Sequence, residues 1–194
     1  IATLSKTSIG GMIVLDGEQR RKAILAQLQT TKQAYSATKF AKELGVSRQV
    51  IVGDVALLRA AGENIIATAR GYKLASEELV EGFMAKIAVQ HDESQTQLEL
   101  ETILSFGAEI LDVIVEHDLY GELVGGLYIS NEIEMLNFMQ KYEKSQARLL
   151  SQLTNGIHLH TIRYQKAKDL AQIKQALAEQ GILYQDTMDA TVNK

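Results

Sequence analysis

Apolar positions recur with two different periods along this chain, and the change of period divides it. From Gln19, Ile24, Leu25 and Leu28 keep an i, i+1, i+4 spacing that predicts a short amphipathic helix. Ala37, Phe40, Ala41 and Leu44 form an i, i+3, i+4, i+7 stripe behind Ser36, a residue suited to capping a helix. Gly45 breaks that helix, Val46 packs inward, and Ser47 opens a third helix with Ile51, Val55 and Leu58 on one face. Gly62 supplies the residue type that ends it. Two β-prone pieces, 63–68 and 71–74, are joined through Ala69 and Arg70 as a hairpin. Helix, glycine turn, helix and hairpin predict a winged helix-turn-helix over residues 19–75, with the helix after Ser47 entering the DNA major groove.

The second part alternates β-branched runs with helical stripes. A Glu-rich connection over 76–83 leads to a strand over 85–91. Asp92 or Ser94 then caps a helix running to about Phe106, with Leu100, Ile103 and Leu104 inward. Strands follow over 110–117 and 122–130, turning at residues 118–121. A helix capped by Ser130 or Asn131 runs to about Lys144 with Ile133, Leu136 and Met139 inward. After Gly156 come a strand over 157–163, a helix carrying Leu170, Ile173 and Leu177, and a last strand over 182–184. The order predicts an α+β fold, an α/β sandwich over residues 84–185 with helices on one face of a mostly antiparallel sheet. Residues 186–194 are left as a tail. Residues 1–18 lack the cationic start and cleavage pattern of a leader, and are expected to be a disordered extension outside the fold.

Composition adds boundaries. Hydrophobic residues make up 46% and there is no cysteine, so disulfides and thiolate metal sites are excluded and a reducing cytoplasm is expected. No apolar run approaches the ~18 residues of a membrane span, and no membrane partner is expected. Proline is absent, so turns rest on Gly, Asn and Asp. The net charge of −4 hides a division: residues 19–75 carry ten Lys/Arg against three acids, whereas residues 76–194 carry nine against nineteen. A basic module on an acidic one points to a polyanion partner, double-stranded DNA. Ser47, Arg48 and Gln49 are the candidate DNA contacts at the start of the third helix, the last two able to bond base edges bidentately. Lys39 and the wing residue Arg70 are placed for phosphate or minor groove. A homodimer on two half-sites is the expected DNA-bound form.

All four histidines fall in the acidic part. Residues two apart in a strand face the same side at about 6.7 Å, so His158 and His160 point together. His91 ends another strand, and Glu99 lies at the edge of the next helix's buried face. Three imidazoles and one carboxylate suit a divalent transition metal, zinc or nickel. Spacing alone equally permits a surface histidine pair and unrelated core histidines. An enzyme is the competing class, with a metal-activated water and Glu116 or Glu122 near His117 as base. Against it, four protein ligands fill a tetrahedral site, and no nucleophile motif or phosphate-binding glycine loop is present.

Two sets of residues carry a resemblance. The stretch from Val46 to Val55, with Leu58-Arg59 and the wing from Ile65 to Tyr72, resembles the DNA-binding domain of bacterial niacin-responsive repressors. It is more distantly similar to that of biotin-operon repressors. His91 with Glu99, Val113 to His117 with Tyr120-Gly121-Glu122, and Gly156 to Thr161 resemble the three-histidine (3H) regulatory domain of the same repressors. The family commonly has proline where this chain has Ala69 and Asp118. The resemblance covers residues 19–185 and implies a metal on His91, Glu99, His158 and His160. It further implies a transcriptional repressor of niacin uptake and NAD synthesis or salvage genes, not an enzyme, with nicotinic acid (or nicotinamide) as co-repressor. His117, with Glu116 beside it, is then a candidate for the effector pocket, His117 alternatively serving only to cap its hairpin. A repressor answering to the metal itself is the third reading.

Overall fold

The computed structural model describes residues 15–31, 33–75 and 82–185. The chain forms two compact units, residues 1–78 and 79–194. The first is built from α1 (Gly17–Thr30), α2 (Ala37–Leu44), α3 (Arg48–Ala60), β1 (Ile65–Thr68) and β2 (Gly71–Leu74). Each helix is started by a short polar side chain that takes an otherwise orphan amide. Asp16 accepts from Gln19 N at 2.8 Å, Ser36 from Lys39 N at 3.1 Å and Ser47 from Val50 N at 3.3 Å. The first cap corrects the expected boundary. Gly17 and Glu18 are helical, because Asp16 and not Gln19 starts α1, so this unit begins before residue 19. The rest of the proposed extension, residues 1–14, lies outside the described residues.

Ile24, Leu28, Phe40, Ile51, Val55 and Ile65 close the core of the first unit. Asp54 of α3 is also buried, and it is held by α1. Arg20 Nε and one guanidinium NH2 (3.2 Å) donate to its two oxygens, and Arg21 adds a longer contact at 3.5 Å. Tyr35 and Tyr72 exchange backbone hydrogen bonds of 2.8 and 2.9 Å, tying the hairpin to the entry of α2. Gly71 is required at that crossing: its φ is +138° and a Cβ would stand 2.4 Å from Tyr35 O.

The second unit runs β3 (Phe83–Gln90), α4 (Thr96–Ser105), β4 (Glu109–His117), β5 (Gly121–Ile129), α5 (Glu132–Lys144), β6 (Ile157–Tyr164) and α6 (Asp169–Glu179). Its sheet has the order β3-β6-β4-β5, antiparallel throughout, and α4 packs on β4, α5 and α6. Ile87, Ile103, Ile110, Ile162, Ile173 and Leu177 are fully or almost fully buried between these layers. Three details depart from expectation. The strand expected over 85–91 is Phe83–Gln90, so Phe83 leaves the connection and His91 follows the strand. On α5 the phase is set by Met135 and Met139, four apart and buried, which leaves Ile133 (73%) and Leu136 (47%) exposed. The last strand shrinks to one bridge, Leu183 to Val89, at the edge of the sheet.

Candidate metal centre and nucleic-acid interface

The basic unit presents an exposed front end on α3. Ser47 is spent on the cap, and Arg48 and Gln49 stand exposed in the first turn. Lys39 is exposed on α2, its ammonium 4.2 Å from the centre of the Tyr35 ring, a cation–π contact that orients it. Arg70 is half-buried at the hairpin tip, its N–H donating to Thr68 Oγ1 at 3.1 Å. Not every cation faces outward. Arg20, counted in the basic total, is consumed by Asp54 and serves the packing of α1 on α3.

The acidic unit buries a second carboxylate in a different setting. β6 aims His158 and His160 toward α4, His91 follows β3, and Glu99 stands in the first turn of α4; all four are at least nine-tenths buried. Glu99 Oε2 lies 2.8 Å from His91 Nε2 and 3.4 Å from His158 Nε2, while Oε1 lies 3.2 Å from His160 Nε2. His158 is the middle ring, with centroids 5.0 Å from His91 and 4.9 Å from His160. His91, Glu99 and His158 offer ligand atoms that all lie within 4.8 Å of one another. His160 reaches the group through the other carboxylate oxygen.

The far side of each ring decides what the near side offers. His91 Nδ1 faces Asp92 O at 2.7 Å, His158 Nδ1 faces Gly156 O at 2.8 Å, and His160 Nδ1 faces Asp112 O at 2.5 Å. A carbonyl oxygen only accepts, so each Nδ1 carries the hydrogen and each neutral ring directs an Nε2 lone pair at Glu99. Three lone pairs around a carboxylate repel unless a cation or added protons lie between them. Without a metal the protons take that role. Burial works against charge on His91 and His160, yet Glu99 raises both above the ordinary histidine value. Burial likewise opposes ionised Glu99, and the facing imidazoles of His160, His158 and His91 hold it well below the usual carboxylate range. Glu99 Oε1 still has no well-aligned hydrogen bond. The donor set, the fixed tautomers and this orphaned oxygen fit a divalent cation.

A cavity of about 40 Å3 borders the cluster, lined on its apolar side by residues including Leu100, Val113, Leu127, Phe138 and Leu150. His91 and Ser151 also line a wider surface pocket of about 570 Å3.

Comparison with known proteins agrees with both units. Residues 20–73 match an HTH domain and residues 84–186 match the 3H domain. The chain is 39% identical to the Probable transcription repressor NiaR of Thermotoga maritima over 87% of this chain and 95% of that protein. It is 37% identical to the Transcription repressor NadR of Bacillus subtilis over 89% of this chain and 97% of that protein. The chain belongs to the NiaR/NadR family of transcription repressors. It is a DNA-binding regulator and not an enzyme, and no described helix is long and apolar enough to cross a membrane.

Within this repressor the structure does not bring His117 and Glu116 to the cavity. Both stand at the end of β4, where His117 pairs with Gly121 and Glu116 lies opposite Glu122. His117 Nδ1 accepts from Leu119 N at 3.2 Å, a contact that fits the alternative in which it caps the hairpin turn. Sequence reasoning missed the supports. Gly156 gives its carbonyl to His158 and, at φ +86°, lets His91 approach; a Cβ there would stand 2.2 Å from His91 O. The register shift of β4 between Ile110 and Ile114 accompanies the approach of the Asp112 carbonyl to His160. A glycine before a His-x-His strand was a usable signal for the first; an irregularity in strand register leaves none.

Proposed function

We propose that this repressor senses nicotinic acid, which acts as co-repressor on genes of niacin uptake and NAD synthesis or salvage. The supporting observation is the convergence of three Nε2 atoms on a buried carboxylate beside a cavity, in the 3H domain. His91, Glu99, His158 and His160 would hold a zinc or nickel ion, which supplies a Lewis-acidic point for an anionic or nitrogen donor of the effector. The chain's own contribution is to fix the ring tautomers, wall the cavity with apolar side chains and exclude bulk water. Arg48 and Gln49 read bases, with Ser47 as their cap, and Lys39 and Arg70 contribute salt-dependent phosphate attraction. Two copies would place two reading helices on half-sites one helical turn, about 34–36 Å, or a multiple apart. Effector and DNA must each favour the same state for one to tighten the other.

The small volume of the cavity favours one second reading, in which the metal alone is the signal. Anisotropy titrations on an operator selected from a random DNA pool separate the two. The niacin reading requires tighter binding with zinc plus nicotinate than with zinc alone. Equal tightening by zinc alone supports the metal signal, and no response to either refutes sensing. Nicotinamide in place of nicotinate tests which form is read.

A further inference from the structure

Thr96 is a buried polar group that neither the fold nor the cluster uses. It is the first residue of α4 and 7% exposed, and its Oγ1 is buried without a hydrogen-bond partner. A helical threonine ordinarily returns its hydroxyl to a carbonyl one turn back. Thr102 of the same helix does so, donating to Leu98 O at 2.7 Å. Before Thr96 the chain makes the 3-10 turn Glu93–Gln95, capped by Asp92, and the Glu93 carbonyl accepts from the Thr96 backbone N–H while the hydroxyl stays unpaired. The side chain instead lines the cavity, one turn from Glu99, whose Oε1 also lacks a hydrogen bond. A desolvated hydroxyl left unpaired costs stability, and natural proteins seldom keep one without a use.

The other walls define what such a hydroxyl meets. Val113, Leu127, Phe138, Leu149 and Leu150 supply apolar walls, and the histidines, Glu99, Thr96 and Ser151 supply the polar part of the lining. An apolar slot with a few convergent polar groups is the usual form of a small-molecule site. At about 40 Å3 the slot has room for only a few waters, so a ring must also extend past Ser151 toward the wider pocket. We propose that Thr96 is the specificity-determining contact of the effector site, donating its hydroxyl hydrogen to an acceptor of a small planar aromatic monocarboxylate. The assignment rests on the niacin reading above. It makes Thr96 a ligand contact and not a metal ligand, and the two roles separate experimentally.

Calorimetric titration of nicotinate into the zinc-loaded full chain tests it, with Thr96→Val and Thr96→Ser beside the wild type. Loss of one hydrogen bond should weaken nicotinate about three- to tenfold in Thr96→Val. Thr96→Ser, which keeps the hydroxyl, should stay close to wild type, and zinc affinity should be the same in all three. Wild-type affinity for nicotinate in Thr96→Val overturns the assignment, as does a loss of zinc binding parallel to the loss of nicotinate. A wild-type protein that takes zinc but not nicotinate refutes the niacin reading itself and removes this assignment with it.

Discussion

Each unit of the repressor buries a carboxylate against facing side chains, Asp54 in the first and Glu99 in the second, and the two are treated in opposite ways. Asp54 meets a guanidinium whose donors match its oxygens, so the charge is closed within the fold. Glu99 meets three rings whose hydrogens are already given to backbone carbonyls, so lone pairs face its oxygens. A closed pair holds two helices in register and asks for nothing more. An open cluster is complete only when something positive arrives. That difference separates an architectural ion pair from a site, although both residues look alike in a burial profile.

Neutralising each carboxylate in turn should break the parallel. Asp54→Asn leaves the part-buried Arg20 without its counter-charge and should destabilise the first unit by about 2–4 kcal/mol in urea melts, below the range for a fully buried pair. Glu99→Gln offers amide hydrogens to the facing lone pairs, so the chelated protein should lose little stability while its response to zinc disappears. Equal losses in the two chelated variants would remove the distinction.

Smaller effects sharpen it. Gly156→Ala displaces the support shared by His91 and His158 and should weaken zinc about 10–100-fold by competition with a chromophoric chelator. Arg48→Ala should cost about 1–3 kcal/mol on the selected operator and relax base preference at one position, with little change on random DNA. In the chelated protein the raised pKa of His91 and His160 contributes stability that is complete below about pH 6.5 and lost as pH rises through their folded values. Zinc requires these rings neutral, so its gain in Tm should be larger at about pH 8 than at about pH 5.5.

The helices were legible because caps and stripes agree: Ser36, Ser47 and Asn131 each sit where a hydrophobic period begins. His158 and His160 were legible as a pair because strand alternation has a period of two. Thr96 and Asp112 were not, since their roles depend on a 3-10 entry and a register shift, neither of which a residue type encodes; Gly156 left only its glycine ahead of the His-x-His strand as a signal. His117 reads two ways from sequence: its identity suggests chemistry, while the turn beside it also needs an acceptor for Leu119 N. On α5, Ile133 and Leu136 fit an apolar stripe as well as the methionines did, and packing decided between them.

The most direct measurement is operator affinity with nicotinate present, before and after removal of zinc, in wild type and His158→Ala. The account predicts that nicotinate tightens binding only in the zinc-loaded wild type. Tightening that survives chelation, or persists in His158→Ala, would contradict it.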